Sequence, residues 1–224
     1  HFLDREKCVG CFACVATGCD ALAQAGKSMS VDEVMNEVLK DRVFYETSGG
    51  GITLSGGEPL WQAKFAEKLL RAAKSAEINT CIETCGFANQ TVIKDIVPLV
   101  DTFLFDIKLT DNEVHRKYTG VPFEPILENL RFIDSKGANI VLRCPIIPGV
   151  NDTQEHFRRI AEIANETCGV TEINIEPYHS LGSSKCTALN RSYKMENTAL
   201  PSSDEISKWV NELSGLCRKT VRKV

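Results

Sequence analysis

No run of eighteen apolar residues occurs in the 224-residue sequence, which excludes a membrane-spanning helix. Nor is there an excess of positive charge. Lys and Arg number 26 against 30 Asp and Glu, the net charge is −4, and the basic residues are scattered. That pattern argues against a nucleic-acid groove or an anionic membrane surface as the main partner. The Walker loop, the G-x-S-x-G elbow and the H-E-x-x-H pair are all missing, so phosphoryl transfer, serine hydrolysis and zinc proteolysis lack their parts. There is no low-complexity segment. The hydrophobic fraction of 43% and charged fraction of 25% are those of an ordinary globular chain with a sizeable core.

Cysteine is the residue in excess, with ten. Four fall in the first nineteen residues, as Cys8-x2-Cys11-x2-Cys14-x4-Cys19. A secreted disulfide framework would spread cysteines evenly through a small, loop-rich chain, whereas long helical periodicities follow here. Reduced thiols in a cytoplasmic, anaerobic setting fit better. Thiolates at i, i+3 and i+6 suit a bacterial-ferredoxin iron–sulfur cluster, with zinc as the second reading. In ferredoxins with two clusters the fourth cysteine serves the other cluster. Here the last gap is four residues and Asp20 replaces the usual proline, so Cys19 is the weakest ligand assignment. Cys81 and Cys144 read as small core residues within strands, and Cys85 lies near a strand end.

Beyond the cysteines the chain alternates. Ser30 with Glu33 forms a capping-box pattern that opens a helix with Val31, Val34, Met35, Val38 and Leu39 on one face. Strands are expected at 52–54, 79–83, 102–108, 139–144 and 172–176, with amphipathic helices between them and a last helix from Ser203 to about Leu216. Gly137 and Gly169 stand where C-terminal glycine caps belong. The strands read as continuous apolar runs buried on both faces, which suits a parallel sheet. Successive βα units imply a TIM-like barrel or part of one, with a doubly wound sheet as the alternative. The expected domains are 1–27, a ferredoxin-like iron–sulfur segment, and 28–224, a partial (β/α) barrel.

In such folds ligands bind at the carboxyl ends of the strands. Those ends read Gly56-Gly57-Glu58, Glu83-Thr84, Asp106 with Lys108, Arg143, and Glu176 followed by His179. Glycines let a ligand approach the backbone closely, and a following carboxylate can hold a cation. Each member has a bland reading: a tight turn, an Asp106–Lys108 salt bridge, a loop histidine, or an arginine clamping a structural carboxylate. Together they make a mouth of mixed charge suited to a zwitterionic small molecule.

The stretch from Ser30 through S-G-G-E-P-L, followed by I-E-T-C-G-F, D-I-K, R-C-P-I-I-P-G-V-N-D and E-P-Y-H-S-L-G, resembles the glycyl-radical enzyme activating enzymes of the radical S-adenosylmethionine superfamily. The resemblance runs from about Cys8 to Lys194 and implies an α/β partial barrel. It implies that Gly56, Gly57 and Glu58 hold the methionyl amino group of S-adenosylmethionine. Glu83 and Thr84 would lie near the cofactor's carboxylate, where some relatives bind a monovalent cation beside an Asp rather than this Glu. Asp106 and Lys108 would lie near the cofactor and the substrate glycine, and Arg143 and His179 at further cofactor contacts. The implied reaction is electron transfer from a [4Fe-4S] cluster into S-adenosylmethionine, then abstraction of hydrogen from a backbone glycine of a partner glycyl-radical enzyme. A flavodoxin or ferredoxin would be the electron donor. The family's C-x3-C-x2-C is absent from the 224 residues. The expectation is therefore an N-terminally truncated chain, lacking the first βα unit and inactive alone. Two other functions remain open: an electron-carrier module on a degenerate scaffold, and a radical enzyme acting on a small molecule.

Overall fold

The structure is a computed structural model describing residues 4, 6–17, 22–24, 26–189 and 191–224. Along the chain run helices α1 (Ala13–Ala16), α2 (Val31–Val38) and α3 (Arg42–Ser48), then β1 (Gly51–Leu54), α4 (Ala63–Ser75) and β2 (Asn79–Thr84). Next come α5 (Gln90–Ile96), β3 (Thr102–Asp106), α6 (Asn112–Thr119), α7 (Glu124–Ser135), β4 (Asn139–Ile146), α8 (Gln154–Glu166) and β5 (Val170–Pro177). The chain ends with α9 (Gly182–Ala188), α10 (Ser203–Leu216) and β6 (Thr220–Lys223). Two compact units result: residues 1–30 with 179–197, and residues 31–178 with 198–224.

The larger unit is a six-stranded sheet in the order β1-β2-β3-β4-β5-β6, with every pair parallel. Strand order never reverses, as it must in a doubly wound sheet, so each helical crossover adds the next strand on the same side. This is the partial (β/α) barrel. The helices supply the apolar stripe that covers the outer face. On α4, Ala66, Leu69, Leu70 and Ala73 are buried at i, i+3, i+4 and i+7. Side-chain caps start several helices: Asn89 before α5, Asp111 before α6, Thr153 before α8, and a full Ser202–Glu205 capping box before α10. Among the described residues no helix is long and apolar enough to cross a membrane.

The strands correct one expectation. They are not buried on both faces; burial alternates along β3, β4 and β5. Phe103, Phe105, Leu142, Cys144, Ile173 and Ile175 pack into the core, while Asp106, Arg143, Asn174 and Glu176 stand on the half-buried opposite face. An open barrel covers only its outer face with helices, so the inner face can carry charge. Cys144 is fully buried as expected, but Cys81 lies on the half-buried side.

Two glycines differ in their reasons. Gly137 follows α7 with φ +72°, the left-handed cap expected of it. Gly169 is needed instead for space, because a Cβ there would lie 2.2 Å from the Ala138 carbonyl oxygen. Leu39, expected on the buried face of the first helix, is exposed along with Val43 and Phe44.

Candidate active site

The carboxyl ends of β1 to β5 open onto one mouth, and its residues are tied together by hydrogen bonds rather than left as separate side chains. The chain leaves β1 through Ser55 and Gly56, where φ is +126°, a conformation that favours glycine. A Cβ at either Gly56 or Gly57 would meet nothing within 4 Å, so this backbone borders open space. Glu58 then caps the turn that begins at Pro59, with Leu60 N–H donating to its Oε1 at 3.1 Å. The Thr84 hydroxyl donates to the same oxygen at 2.8 Å, and Cys85 N–H donates to Oε2 at 2.9 Å. A carboxylate offers about four lone-pair sites. Three protein donors therefore orient Glu58, and the Cys85 thiol lies against the same carboxylate.

Thr84 is 2% exposed and uses its hydroxyl in both directions, donating to Glu58 and accepting from Gly86 N–H at 3.0 Å. It orients the carboxylate. Burial, reinforced by the adjoining Glu58 carboxylate, pushes the Cys85 thiol up to about 11, so it stays protonated.

Arg143 is the centre of the second network. The register sets Asp106 beside Arg143 and Arg143 beside Asn174 on adjacent strands. Arg143 forms a close, two-point contact with Glu176 on β5, and its Nη1 donates to Glu83 on β2 at 2.6 Å. A β4 side chain reaching a β2 side chain spans β3, which is possible because the inner face is concave. Ser55 Oγ donates to the other Glu83 oxygen at 2.8 Å. Burial works against the Arg143 cation, but Glu176, Glu83 and Asp106 outweigh it and raise its pKa. The Glu176 carboxyl is held above the usual carboxylate range, first by burial and then by the Asp106 and Glu83 charges, which exceed what its share of Arg143 offsets. Asp106 Oδ2 accepts from Lys108 Nζ at 2.5 Å.

A pocket of about 320 Å³ opens beside Glu58, Asp106 and Lys108, with Cys85, Phe87, Val121 and Ile126 among its other walls. Sequence reasoning missed two residues that hold the mouth in shape. Asn151, 2% exposed, donates to the carbonyls of Lys108 and Pro145, both at 2.8 Å, and accepts from Ile147 N–H at 2.7 Å, tying the end of β3 to the end of β4. Asn129, 4% exposed, donates to Gly86 and Ala88 carbonyls at 2.8 and 2.9 Å and so fixes the loop after β2. A polar residue inside an apolar helix stripe, as Asn129 is in α7, was the available signal.

The structure thus brings Gly56, Gly57, Glu58, Glu83, Thr84, Asp106, Lys108 and Arg143 to one mouth of the larger unit. His179 is exposed and belongs to the smaller unit. Cys8, Cys11 and Cys14 also lie in that unit, all exposed and free, and Cys19 lies outside the described residues. Gly10 at φ +70° and Phe12 at φ +57° turn the backbone between them. Among the described residues no group of three His, Cys, Asp or Glu side chains is arranged to hold a metal ion.

Comparison with known proteins converges with this geometry. The radical SAM superfamily model matches residues 5–163. The chain is 42% identical over 198 residues to the (2S)-3-sulfopropanediol dehydratase activating enzyme of Klebsiella oxytoca, covering 87% of this chain and 62% of that protein. It is 34% identical over 207 residues to the pyruvate formate-lyase 2-activating enzyme of Escherichia coli, covering 91% of this chain and 70% of that one. Among solved structures, a domain of a pyruvate-formate lyase-activating enzyme from Bacteroides vulgatus superposes with a TM-score of 0.65 at 24% identity, over 78% of this chain and 99% of that chain. The last likeness concerns the fold alone. The chain thus spans less than two thirds of the Klebsiella protein, and it belongs to the radical SAM superfamily, among the activating enzymes of glycyl-radical enzymes.

Proposed function

We propose that this chain is the cofactor- and substrate-orienting part of an enzyme that uses S-adenosylmethionine to abstract hydrogen from a backbone glycine of a partner glycyl-radical enzyme. The observation that carries the reading is the Glu58 carboxylate. It is fixed by three donors, lies beside open glycine backbone, and shares a pocket with the Lys108 ammonium. A zwitterionic amino acid moiety needs such a carboxylate for its ammonium and a cation for its carboxylate.

Bound S-adenosylmethionine would supply, on one-electron reduction, the power to abstract hydrogen. The chain's own residues bind and orient. Gly56 and Gly57 admit the ligand to the backbone, and Glu58 receives the ammonium. Asp106 and Lys108 form a pair at the pocket wall whose partners change when a charged ligand enters. Arg143, Glu83 and Thr84 hold the inner face in register. A monovalent cation would sit by Glu83. Cys8, Cys11, Cys14 and Cys19 would hold a [4Fe-4S] cluster that receives electrons from a flavodoxin or ferredoxin; three of the thiols are free and accessible, as such ligands must be. The C-x3-C-x2-C for a catalytic cluster is not among these 224 residues, so the activity belongs to the whole protein.

The test is anaerobic incubation of the complete protein, reduced and with S-adenosylmethionine, with a glycyl-radical enzyme, followed by electron paramagnetic resonance. A glycyl radical that forms with the native protein and not with Asp106→Asn supports the assignment. Full radical yield from the variant contradicts it. Iron–sulfur absorbance that ignores added S-adenosylmethionine favours the electron-carrier reading.

A further inference from the structure

The mouth at the carboxyl ends of the strands is not the largest cavity of the molecule. A cavity of about 590 Å³ stands at the amino ends, within the range of about 300–1,000 Å³ usual for small-molecule sites. It opens between the end of α5, with the turn that follows, and the loop from α7 into β4. Val97, Pro98, Phe132 and Ala138 form its apolar wall. Lys94 and Lys136 bring two ammonium groups to it from different helices. The function proposed above uses none of these residues.

Both lysines converge on the Phe132 ring, with Nζ 5.9 Å from its centre for Lys94 and 5.1 Å for Lys136. Among the described residues neither is paired with a carboxylate. Each stands at a helix C-terminus, Lys94 in the last turn of α5 and Lys136 as the cap of α7, where the helix dipole favours a cation. The dipole accounts for one charge at each end. It supplies no counter-ion, and it does not account for both charges meeting over one ring beside a cavity. The carboxylate in the wall is already spent, because Asp101 accepts from Lys74 at 2.6 Å and from Thr80 N–H at 2.8 Å. Two uncompensated cations therefore face an apolar wall. That wall is also held in advance. Gly137 N–H donates to the Asp134 carbonyl at 2.8 Å, and Gly169 N–H donates to Asp134 Oδ1 at 2.6 Å. Gly169 in turn packs directly on the Ala138 carbonyl. A preformed wall lowers the ordering cost of binding.

We propose that this cavity is a separate ligand site for a small aromatic carboxylate. The ring is matched to the Phe132, Pro98 and Val97 surfaces, and two ammonium groups from separate helices can each donate to one carboxylate. A neutral ring would leave both cations without a counter-charge. An aliphatic or inorganic anion would leave the apolar wall in water. The site is at the opposite end of the sheet from Glu58, so its occupant does not compete with S-adenosylmethionine. The proposal stands whether or not the mouth binds that cofactor.

The test is equilibrium dialysis of the complete protein against three probes: 2-naphthoate, its neutral analogue 2-naphthylmethanol, and glutarate, an anion without a ring. At low ionic strength naphthoate is expected to bind at least about fivefold more tightly than naphthylmethanol, the gain of two exposed charge pairs. That gain should shrink at high salt. Naphthoate should bind at least about tenfold more tightly than glutarate, as burial of a ring requires. Replacing Lys94 and Lys136 together by Ala, both at exposed positions, should remove the preference for the anion while naphthylmethanol binds as before. Ala138→Phe, which fills the apolar half, should weaken both naphthyl probes. Saturating S-adenosylmethionine should displace neither. Equal affinity for naphthoate and naphthylmethanol overturns the proposal, as does a preference that survives in the double lysine variant. Glutarate binding as tightly as naphthoate would reduce the site to two surface cations, and displacement by S-adenosylmethionine would move the probe to the mouth; either result contradicts it.

Discussion

The two ends of the same sheet treat charge differently. At the amino ends of the strands, Asp101 accepts from Lys74 at 2.6 Å and from Thr80 N–H and hydroxyl at 2.8 and 3.0 Å. These bonds outweigh burial and hold its carboxyl below the usual range. Every charge in that cluster has its partner. At the carboxyl ends, Glu83 and Glu176 share Arg143 with Asp106 close by, and Glu176 is pushed above the usual range. The larger cavity, about 590 Å³, is at the amino ends, beside Phe132 with Lys94 and Lys136 over its ring at 5.9 and 5.1 Å. Size alone therefore points to the wrong end. The Asp101 cluster, with its charge matched, supports the fold, whereas a mouth with an excess of carboxylate has affinity left to give.

The largest expected effect is at the mouth. Arg143→Met leaves Glu83 and Glu176 half-buried without their cation and should cost about 3 kcal/mol of stability in urea unfolding, along with all detectable cofactor binding. Asn151→Ala removes three bonds of a buried latch and should cost about 2 kcal/mol, with Lys108 losing its fixed position. His156 gives a pH test away from both ends. It is 5% exposed, and burial holds its pKa down to about 4 against an ordinary 6.5. The unfolded chain binds that proton first, so stability is full above pH 6.5 and falls as the pH drops toward 4. His156→Gln should flatten that part of the curve. Asp101→Asn at the floor should cost about 1 kcal/mol and no cofactor affinity. The native carboxylate's contribution is present above the ordinary value of 3.8 and lost as pH falls through the lower folded value. Replacing Lys94 and Lys136 together by Ala should change stability by less than about 0.5 kcal/mol.

Much of the fold was legible because buried strands and striped helices carry strong patterns. Helices such as α4, α7 and α8, and β1 to β5, follow directly from apolar spacing. The elements that escaped have little to read. Helix α6, N-E-V-H-R-K-Y-T, is mostly polar, and β6, T-V-R-K, is an edge strand with one apolar residue. The site residues were legible as strand-end polar groups, but their partnerships were not. Nothing in spacing tells that Arg143 bridges β2 and β5, or that Thr84 is spent on orienting Glu58. Those depend on curvature and register, which the sequence holds only jointly across distant segments.

The central claim is that the mouth, and not the floor, binds the cofactor through Glu58. Equilibrium dialysis of labelled S-adenosylmethionine against the native chain, Glu58→Gln and Asp101→Asn tests it most directly. Loss of one charge-assisted bond of about 1.5–3 kcal/mol predicts affinity about 10- to 150-fold weaker for Glu58→Gln. Asp101→Asn should match the native chain. Equal affinity for native and Glu58→Gln, or a loss confined to Asp101→Asn, would contradict the account.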